Sequence, residues 1–368
     1  MKYTTLHYQI ALTCLSGMGA VKTKELVESD ISIEEFFEKT PLYLERTYQL
    51  SREILKKMKR KKALEKAEII VDSLKNTNIE TLFYTDKNYP HRLKSCSDAP
   101  VLLYTKGDFS LNNQKMVAIV GTRDATDYGK EICEKIIRSF EGQNVVVVSG
   151  LAHGIDAYIH RFCLKYNVPT IGVLGNGLDR VYPAIHRELA HKMVENGGLL
   201  SEFIPGTLPD RQNFPLRNRI VAGMTDATIV VESKKRGGSL ITANLANDYS
   251  RDVFAFPGSV HMDTSQGCNL LIAQQKAHLI QNADDFLRMM DWKEEKNKKV
   301  SSVQHQLFLD LTEPQETIVN CLRKNGKLHI DFLSMEIKMP ISLLNQELFT
   351  LEMNGVVRSL PGKMYVIC

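Results

Sequence analysis

The run Val117-Ala118-Ile119-Val120-Gly121-Thr122-Arg123 decides how this chain folds. Its β-branched, apolar residues read as a buried strand, and Gly121 ends that strand in a turn. The segment Asp127–Phe140 carries Ile132, Cys133, Ile136 and Ile137 at helical spacing and reads as the helix that follows. A strand, a glycine turn and a helix together point backbone N–H groups and a positive helix end at an anion. The turn also carries Arg123, whose planar fork suits phosphate oxygens. The two commonest nucleotide fingerprints are missing. No G-x-G-x-x-G follows this strand, and no G-x-x-x-x-G-K-[ST] occurs in the chain. The expectation is a phosphate-reading turn on an α/β sheet.

Working outward, the pattern alternates strand and helix from Val117 to about Met290. The further strands expected are Val145–Val148, Thr170–Leu174, Leu199–Ser201, Thr228–Val231, Val253–Phe256 and Leu279–Ile280. Near-continuous apolar strands separated by helices imply a parallel sheet covered on both faces, with ligands outside the carboxyl ends of the strands. Those ends carry Gly121-Thr122-Arg123, Ser149-Gly150, Gly175-Asn176-Gly177, Glu202, Glu232-Ser233 and Pro257-Gly258. A second glycine turn, Arg236-Gly237-Gly238-Ser239, opens a helix and makes a second phosphate seat.

Upstream, residues 1–80 read as a helical domain, with Leu15-Ser16-Gly17-Met18-Gly19 as a hairpin between two short helices. That hairpin is either a simple helix–helix turn or a helix-hairpin-helix module whose amides approach a DNA phosphate. Lys56-Lys57-Met58-Lys59-Arg60-Lys61-Lys62, placed on a helix, spreads round its circumference, either as a solvated face or as a non-specific polyanion contact. Pro90 and Pro100 favour an extended lead-in along the sheet. Downstream, the sheet domain spans 81–291, a charged linker spans 292–311, and 312–368 holds three helices and a hairpin in a winged-helix pattern. Its third helix has no lysine or arginine from Ile341 to Met353 and carries Glu347 and Glu352. That favours a protein contact over readout of a phosphate-lined groove.

The 368 residues carry 43% hydrophobic and 24% charged residues and a net charge of +4, which permits a nucleic-acid partner without requiring one. Seven scattered cysteines without a C-x-x-C point to a reducing, cytoplasmic setting and away from a zinc site or disulfide framework. No stretch is long enough to span a membrane.

Several residues at strand ends carry chemistry. His153 and Asp156 are either an acid–base pair or, more simply, turn and helix-end structure; no metal is expected there. Ser149 and Ser201 follow strands, but neither sits in G-x-S-x-G. Glu202 and Glu232 are either structural carboxylates or a pair that cleaves a glycosidic bond. Arg123, Phe214, Arg217 and Arg219 combine phosphate-holding arginines with an aromatic face, the combination a single-stranded nucleic-acid groove needs. Core packing is the competing reading for Phe214, and a buried ion pair is that for Arg219.

In order, Tyr89-Pro90, Asp98…Pro100, Val120-Gly121-Thr122-Arg123…Tyr128-Gly129 and Ser149-Gly150-Leu151-Ala152…Gly154-Ile155-Asp156…His160 carry a resemblance. It continues through Tyr182-Pro183, Leu200-Ser201-Glu202, Phe214-Pro215…Arg217-Asn218-Arg219-Ile220, Gly238-Ser239…Thr242-Ala243 and Pro257-Gly258. The series resembles the DprA/Smf family (DNA-processing protein A). The resemblance implies an extended Rossmann-like sheet domain flanked by a helical N-terminal domain and a small C-terminal winged-helix domain. It implies a homodimer that binds single-stranded DNA and loads the RecA recombinase during natural transformation, without catalysis or a cofactor. Carried over, Gly121, Thr122 and Arg123 would hold phosphate. Ser149, Gly150 and the segment with Phe214, Arg217, Asn218 and Arg219 would line the same pocket, and Gly238 and Ser239 the second seat. The family more usually has Ser-Gly-Ser where this chain has Gly237-Gly238-Ser239. Two other readings compete. One is a Rossmann-type nucleotide-processing hydrolase, although P-G-G-x-G-T-x-x-E is reduced here to Pro257-Gly258-Ser259. The other is a transcription regulator acting through the winged helix.

Overall fold

The computed structural model describes residues 3–48, 51–113, 115–292 and 311–367. Six helices open the chain: α1 (Thr5–Thr13), α2 (Ala20–Glu28), α3 (Ile33–Glu38), α4 (Pro41–Tyr48), α5 (Arg52–Lys57) and α6 (Arg60–Leu74). The apolar face of α6, including Ala63, Leu64, Ala67 and Ile70, packs on α1. The basic run is not one helix but a corner. Helix α5 stops at Lys57, Met58 is buried, Lys59 is left-handed at φ 51°, and α6 starts at Arg60. The reason is geometric: in an unbroken helix Leu55 and Leu64 would face opposite ways, whereas both are buried here.

Next come β1 (Glu80–Phe83), the one-turn helix α7 (His91–Lys94) and β2 (Leu102–Lys106). The expected lead-in is thus partly a sheet member, because Leu102, Leu103 and Tyr104 bury their side chains. The alternating body follows as β3 (Lys115–Val120), α8 (Asp127–Phe140), β4 (Val145–Ser149), α9 (Ile155–Lys165), β5 (Thr170–Val173), α10 (Arg187–Glu195) and β6 (Gly197–Ser201). It continues as α11 (Asn213–Gly223), β7 (Ala227–Val230), α12 (Gly238–Asp248), β8 (Asp252–Ala255), α13 (Asp263–Ala273), β9 (His278–Leu279) and α14 (Ala283–Met289).

The nine strands run in the order β1-β2-β6-β5-β4-β3-β7-β8-β9. Pairs from β6 to β9 are parallel, and β1 and β2 add antiparallel to the β6 edge. Side chains alternate between two cores. Met116, Ala118 and Val120 join the cluster under α10, α11, α12 and the N-terminal helices, while Val117 and Ile119 join the one under α8, α9 and α14. The N-terminal helices therefore share an apolar core with one face of the sheet. Strand β3 pairs with β4 on one side and β7 on the other, so the order reverses there. The crevice outside such a reversal is where open α/β sheets bind ligands.

The C-terminal unit is α15 (Glu313–Asn325), β10 (Leu328–His329), α16 (Ile330–Ile337), α17 (Ile341–Met353), β11 (Val357–Leu360) and β12 (Met364–Ile367). Its antiparallel sheet has the order β10-β12-β11, and with the helices it forms a winged-helix domain. Most of the linker expected at 292–311 lies outside the described residues. Trp292, assigned to it from sequence, instead packs edge-on against Phe286 at 5.3 Å, because an indole beside an apolar cluster is worth more buried than solvated. The winged helix docks at the amino ends of β7 and β8 through buried charge. Arg251 pairs with Asp331 at 2.8 Å, and His329 lies 3.9 Å from Asp226, which within the sheet domain pairs with Arg92 at 2.5 Å. Gly362 N–H donates to Asp252 at 2.8 Å, and His91 meets Phe332 at 4.0 Å between ring centres.

Candidate nucleic-acid interface

At the carboxyl ends of β3 and β7 the structure opens a cavity of about 660 Å³. Its first wall is the loop from Gly121 to Thr126. Glu232, just past β7, holds both ends of that loop. The Glu232 carbonyl accepts from Thr122 N–H at 2.8 Å, and its carboxylate accepts from Thr126 N–H at 3.0 Å and Thr126 Oγ1–H at 2.6 Å. Thr126 in turn caps α8 through Gly129 N–H. On the other side, Ile155 N–H donates to the Thr122 carbonyl at 3.1 Å. Gly154 makes this approach possible: at φ 73° it takes a conformation other residues avoid, and a Cβ there would strike the Thr122 and Arg123 backbone.

Arg123 is thereby held out over the cavity mouth, exposed and without an ion-pair partner among the described residues. Its guanidinium lies 5.6 Å from the Phe214 ring centre, a cation–π distance. Phe214 is half-buried in the cavity wall and packs against Gly175, whose missing side chain makes room for the ring. Tyr182, exposed, stands 5.8 Å from Phe214 between ring centres. The far wall is Gly237-Gly238-Ser239 at the start of α12, with Lys234 and Arg236 before it. Ser239 is turned inward, donating to Ser233 Oγ at 2.8 Å, while nothing stands in front of Gly238. Five cations line the cavity (Arg123, Arg211, Arg217, Lys234 and Arg236) against two carboxylates, Asp124 and Asp156. Asp124 pairs with Lys234 at 2.7 Å, so the open charge is positive.

The expected site residues separate into those that face the cavity and those that build it. Gly121, Thr122, Arg123, Gly150, Phe214, Asn218, Gly238 and Ser239 all line it. Arg217 lines its floor but is buried. It donates to the carbonyls of Gly150, at 2.5 Å, and Val173, with Asp156 as its countercharge. Gly150 is needed because a Cβ would collide with that guanidinium. Burial raises the Asp156 carboxyl above its ordinary range, and Arg217 opposes that shift. Ser149 is buried beneath the floor, donating to the Ile119 carbonyl at 2.6 Å. Arg219 faces away: it ion-pairs with Glu202 and donates to the Asp98 carbonyl. The charge pattern Arg-Asn-Arg on one helix does not tell which arginine points where, because their partners lie far off in sequence.

These contacts also remove the proposed carboxylate pair. Glu202 is taken by Arg219 and Glu232 by Thr126, so they form no bond-cleaving pair. His153 is exposed and meets His186 at 5.2 Å rather than Asp156. Among the described residues no cluster of histidine, cysteine and carboxylate side chains has metal-site geometry. Sequence reasoning missed Tyr182, Arg211 and Lys234 as cavity residues. Of these only Tyr182 fell inside a motif singled out, and Arg211 and Lys234 gave no local signal.

A family model described as DNA recombination-mediator protein A matches residues 80–291, and one described as DprA winged helix domain matches 309–363. The chain is 30% identical to Protein Smf of Synechocystis over 97% of this chain and 98% of that protein. It is 43% identical to DNA processing protein DprA of Streptococcus pneumoniae over 55% of this chain and 71% of that one. The X-ray structure of the Streptococcus pneumoniae DprA superposes with a TM-score of 0.62 at 34% identity, covering 78% of this chain and 98% of that chain. A Helicobacter pylori DNA processing protein A, solved to describe its single-stranded DNA binding mode, superposes at 0.53 with 30% identity, covering 58% of this chain and 95% of that one. The motif series, the sheet order and these matches agree: the chain belongs to the DNA recombination-mediator protein A (DprA/Smf) family.

Proposed function

We propose that this protein binds single-stranded DNA in the cavity at the carboxyl ends of β3 and β7 and presents it to the RecA recombinase during natural transformation. The observation that carries the reading is Arg123, exposed and unpaired over an aromatic face, on a loop pinned at both ends by Glu232. Arginine supplies phosphate affinity, and Phe214 with Tyr182 offers π faces to unstacked bases. The relative from Helicobacter pylori is described as binding single-stranded DNA, which supports the same role here. The role is binding and hand-over, as a homodimer in the cytoplasm, not bond cleavage. No helix among the described residues is long and apolar enough to cross a membrane.

The test is fluorescence anisotropy of a labelled single strand over a salt series with a duplex competitor. The expected log–log slope is about −0.7 per phosphate engaged. Phe214→Ala should cost about 1–3 kcal/mol of binding, and Arg123→Ala should weaken binding and flatten the slope. Single strands ignored by the wild type, or an unaltered Arg123→Ala, would overturn the reading. RecA filament formation on coated strands then tests the hand-over.

A further inference from the structure

We propose that the lysine corner between α5 and α6, with the glycine hairpin between α1 and α2, is a second contact for nucleic-acid phosphodiester backbone, outside the cavity. This rests on the reading of the chain as a nucleic-acid binder. Lys56, Lys57, Lys59, Lys61 and Lys62 are all exposed, and none has an ion-pair partner among the described residues. Glu65, one turn further along α6, pairs with none of them. The local electrostatics are unfavourable in the free protein. Lys61 and Lys62 sit in the first turn of α6, where no acidic residue is present and where the helix end is already positive. Lys59 holds φ 51°, a conformation for which glycine or asparagine would be cheaper. Arg60, by contrast, turns inward to the carbonyls of Phe36 and Lys39 and anchors the corner on α3.

Met58 ties this corner to the hairpin: its carbonyl accepts from Ser16 N–H at 3.4 Å. Gly17 needs its φ of 76° for the turn, but Gly19 is required by neither conformation nor packing, since it is extended at φ −89° and nothing lies within 4 Å of its missing side chain. The lysine cluster therefore adjoins a stretch of bare backbone. Flexible ammonium groups without fork geometry suit a sequence-blind, salt-sensitive contact with a phosphate chain. That chain is either the flank of the strand held in the cavity or a duplex, and the two are separable by probe.

The experiment uses the full chain with Lys56→Ala, Lys57→Ala, Lys61→Ala and Lys62→Ala combined, and separately Gly19→Thr, which keeps a good helix cap while adding bulk. Circular dichroism checks that both fold. Probes are oligothymidine of about 10 and about 60 nucleotides, a duplex of about 60 base pairs, and anionic phospholipid vesicles. The lysine variant should bind the short oligonucleotide as the wild type does. It should bind the long one about tenfold or more weakly at low salt, with a slope shallower by about 0.7 for each phosphate released. Gly19→Thr should act in the same direction. An equal loss on the duplex assigns the contact to either backbone; a loss confined to the long strand assigns it to the strand flank. Unchanged affinity and slope on the long strand and the duplex would overturn the proposal. So would vesicle binding tighter than DNA binding and lost in the lysine variant, which would make the corner a membrane contact. Arg123→Ala separates the two sites: if it leaves short-strand binding intact while the lysine variant loses the long strand, the cavity reading fails and the corner stands.

Discussion

Arg217→Met distinguishes a cavity floor from a ligand contact. The Arg217 guanidinium is buried, donates to the carbonyls of Gly150 and Val173, and balances the buried Asp156 carboxylate. Methionine fills much of the stem's volume but leaves two buried carbonyls without their donor and takes away the countercharge of Asp156, which keeps the Ala152 N–H. Removing one member of a buried charge pair costs about 3–5 kcal/mol. In a domain of this size each kcal/mol lowers the melting temperature by about 2–4 °C, so the expected fall is about 6–20 °C. Arg123→Met, at an exposed and unpaired position, should change stability by no more than about 0.5 kcal/mol. Urea denaturation without DNA reads both. A cycle with Asp156→Asn sharpens the test. Each single variant strands the other's charge, so the double variant should cost less than the sum of the two singles. The reasoning fails if Arg217→Met unfolds within about 1 kcal/mol of wild type yet loses strand binding. Arg217 would then be a phosphate ligand.

Gly154→Ala meets both a φ of 73° and the Thr122 and Arg123 backbone, whereas Gly142→Ala meets a φ of 72° with open space. Both should lose about 1–2 kcal/mol from the left-handed conformation. Only Gly154→Ala should lose more and weaken DNA binding, as urea curves and anisotropy together would show. Arg251→Met or Asp331→Asn breaks the buried pair that docks the winged helix. Calorimetry should show one transition for the wild type and two for either variant, and one cooperative transition in both variants would refute the docking role. Burial pushes His91 and His160 down to about 3, and His329 well below its ordinary value. Between about pH 6.5 and 3 the unfolded chain therefore binds protons that the folded chain does not. Stability is present above that window and is lost as pH falls through it, by up to about 1.4 kcal/mol per pH unit for each histidine. Asp156 and Asp226 are raised by burial and run in the opposite sense above the ordinary carboxylate range. Comparing His160→Asn with wild type at pH 5 and pH 7 isolates one histidine, and an unchanged pH dependence would show that His160 does not carry it.

The strands from β3 to β9, the helix after Gly121 and the winged-helix pattern were readable because the apolar period that encodes them is local: each residue's neighbours in sequence are its neighbours in the element. The cavity loop was readable for the same reason, since strand, glycine and arginine are contiguous. Charge was different. Arg217 and Arg219 stand two positions apart on α11 and look alike in sequence. One is bound to Gly150, 67 residues away, and the other to Glu202, 17 residues away. The basic run looked like a helix until Leu55 and Leu64 both had to reach one core. Trp292 looked like linker until Phe286 gave its indole a wall. The docking of the winged helix rests on Arg251 and Asp331, which no local pattern connects. The sequence by itself determined which segments become strands, turns and helices, and so where the cavity loop must lie. Only the tertiary structure decided which charges face water and which are spent on each other, because a charge's cost and partner depend on what long-range closure of the chain brings against it.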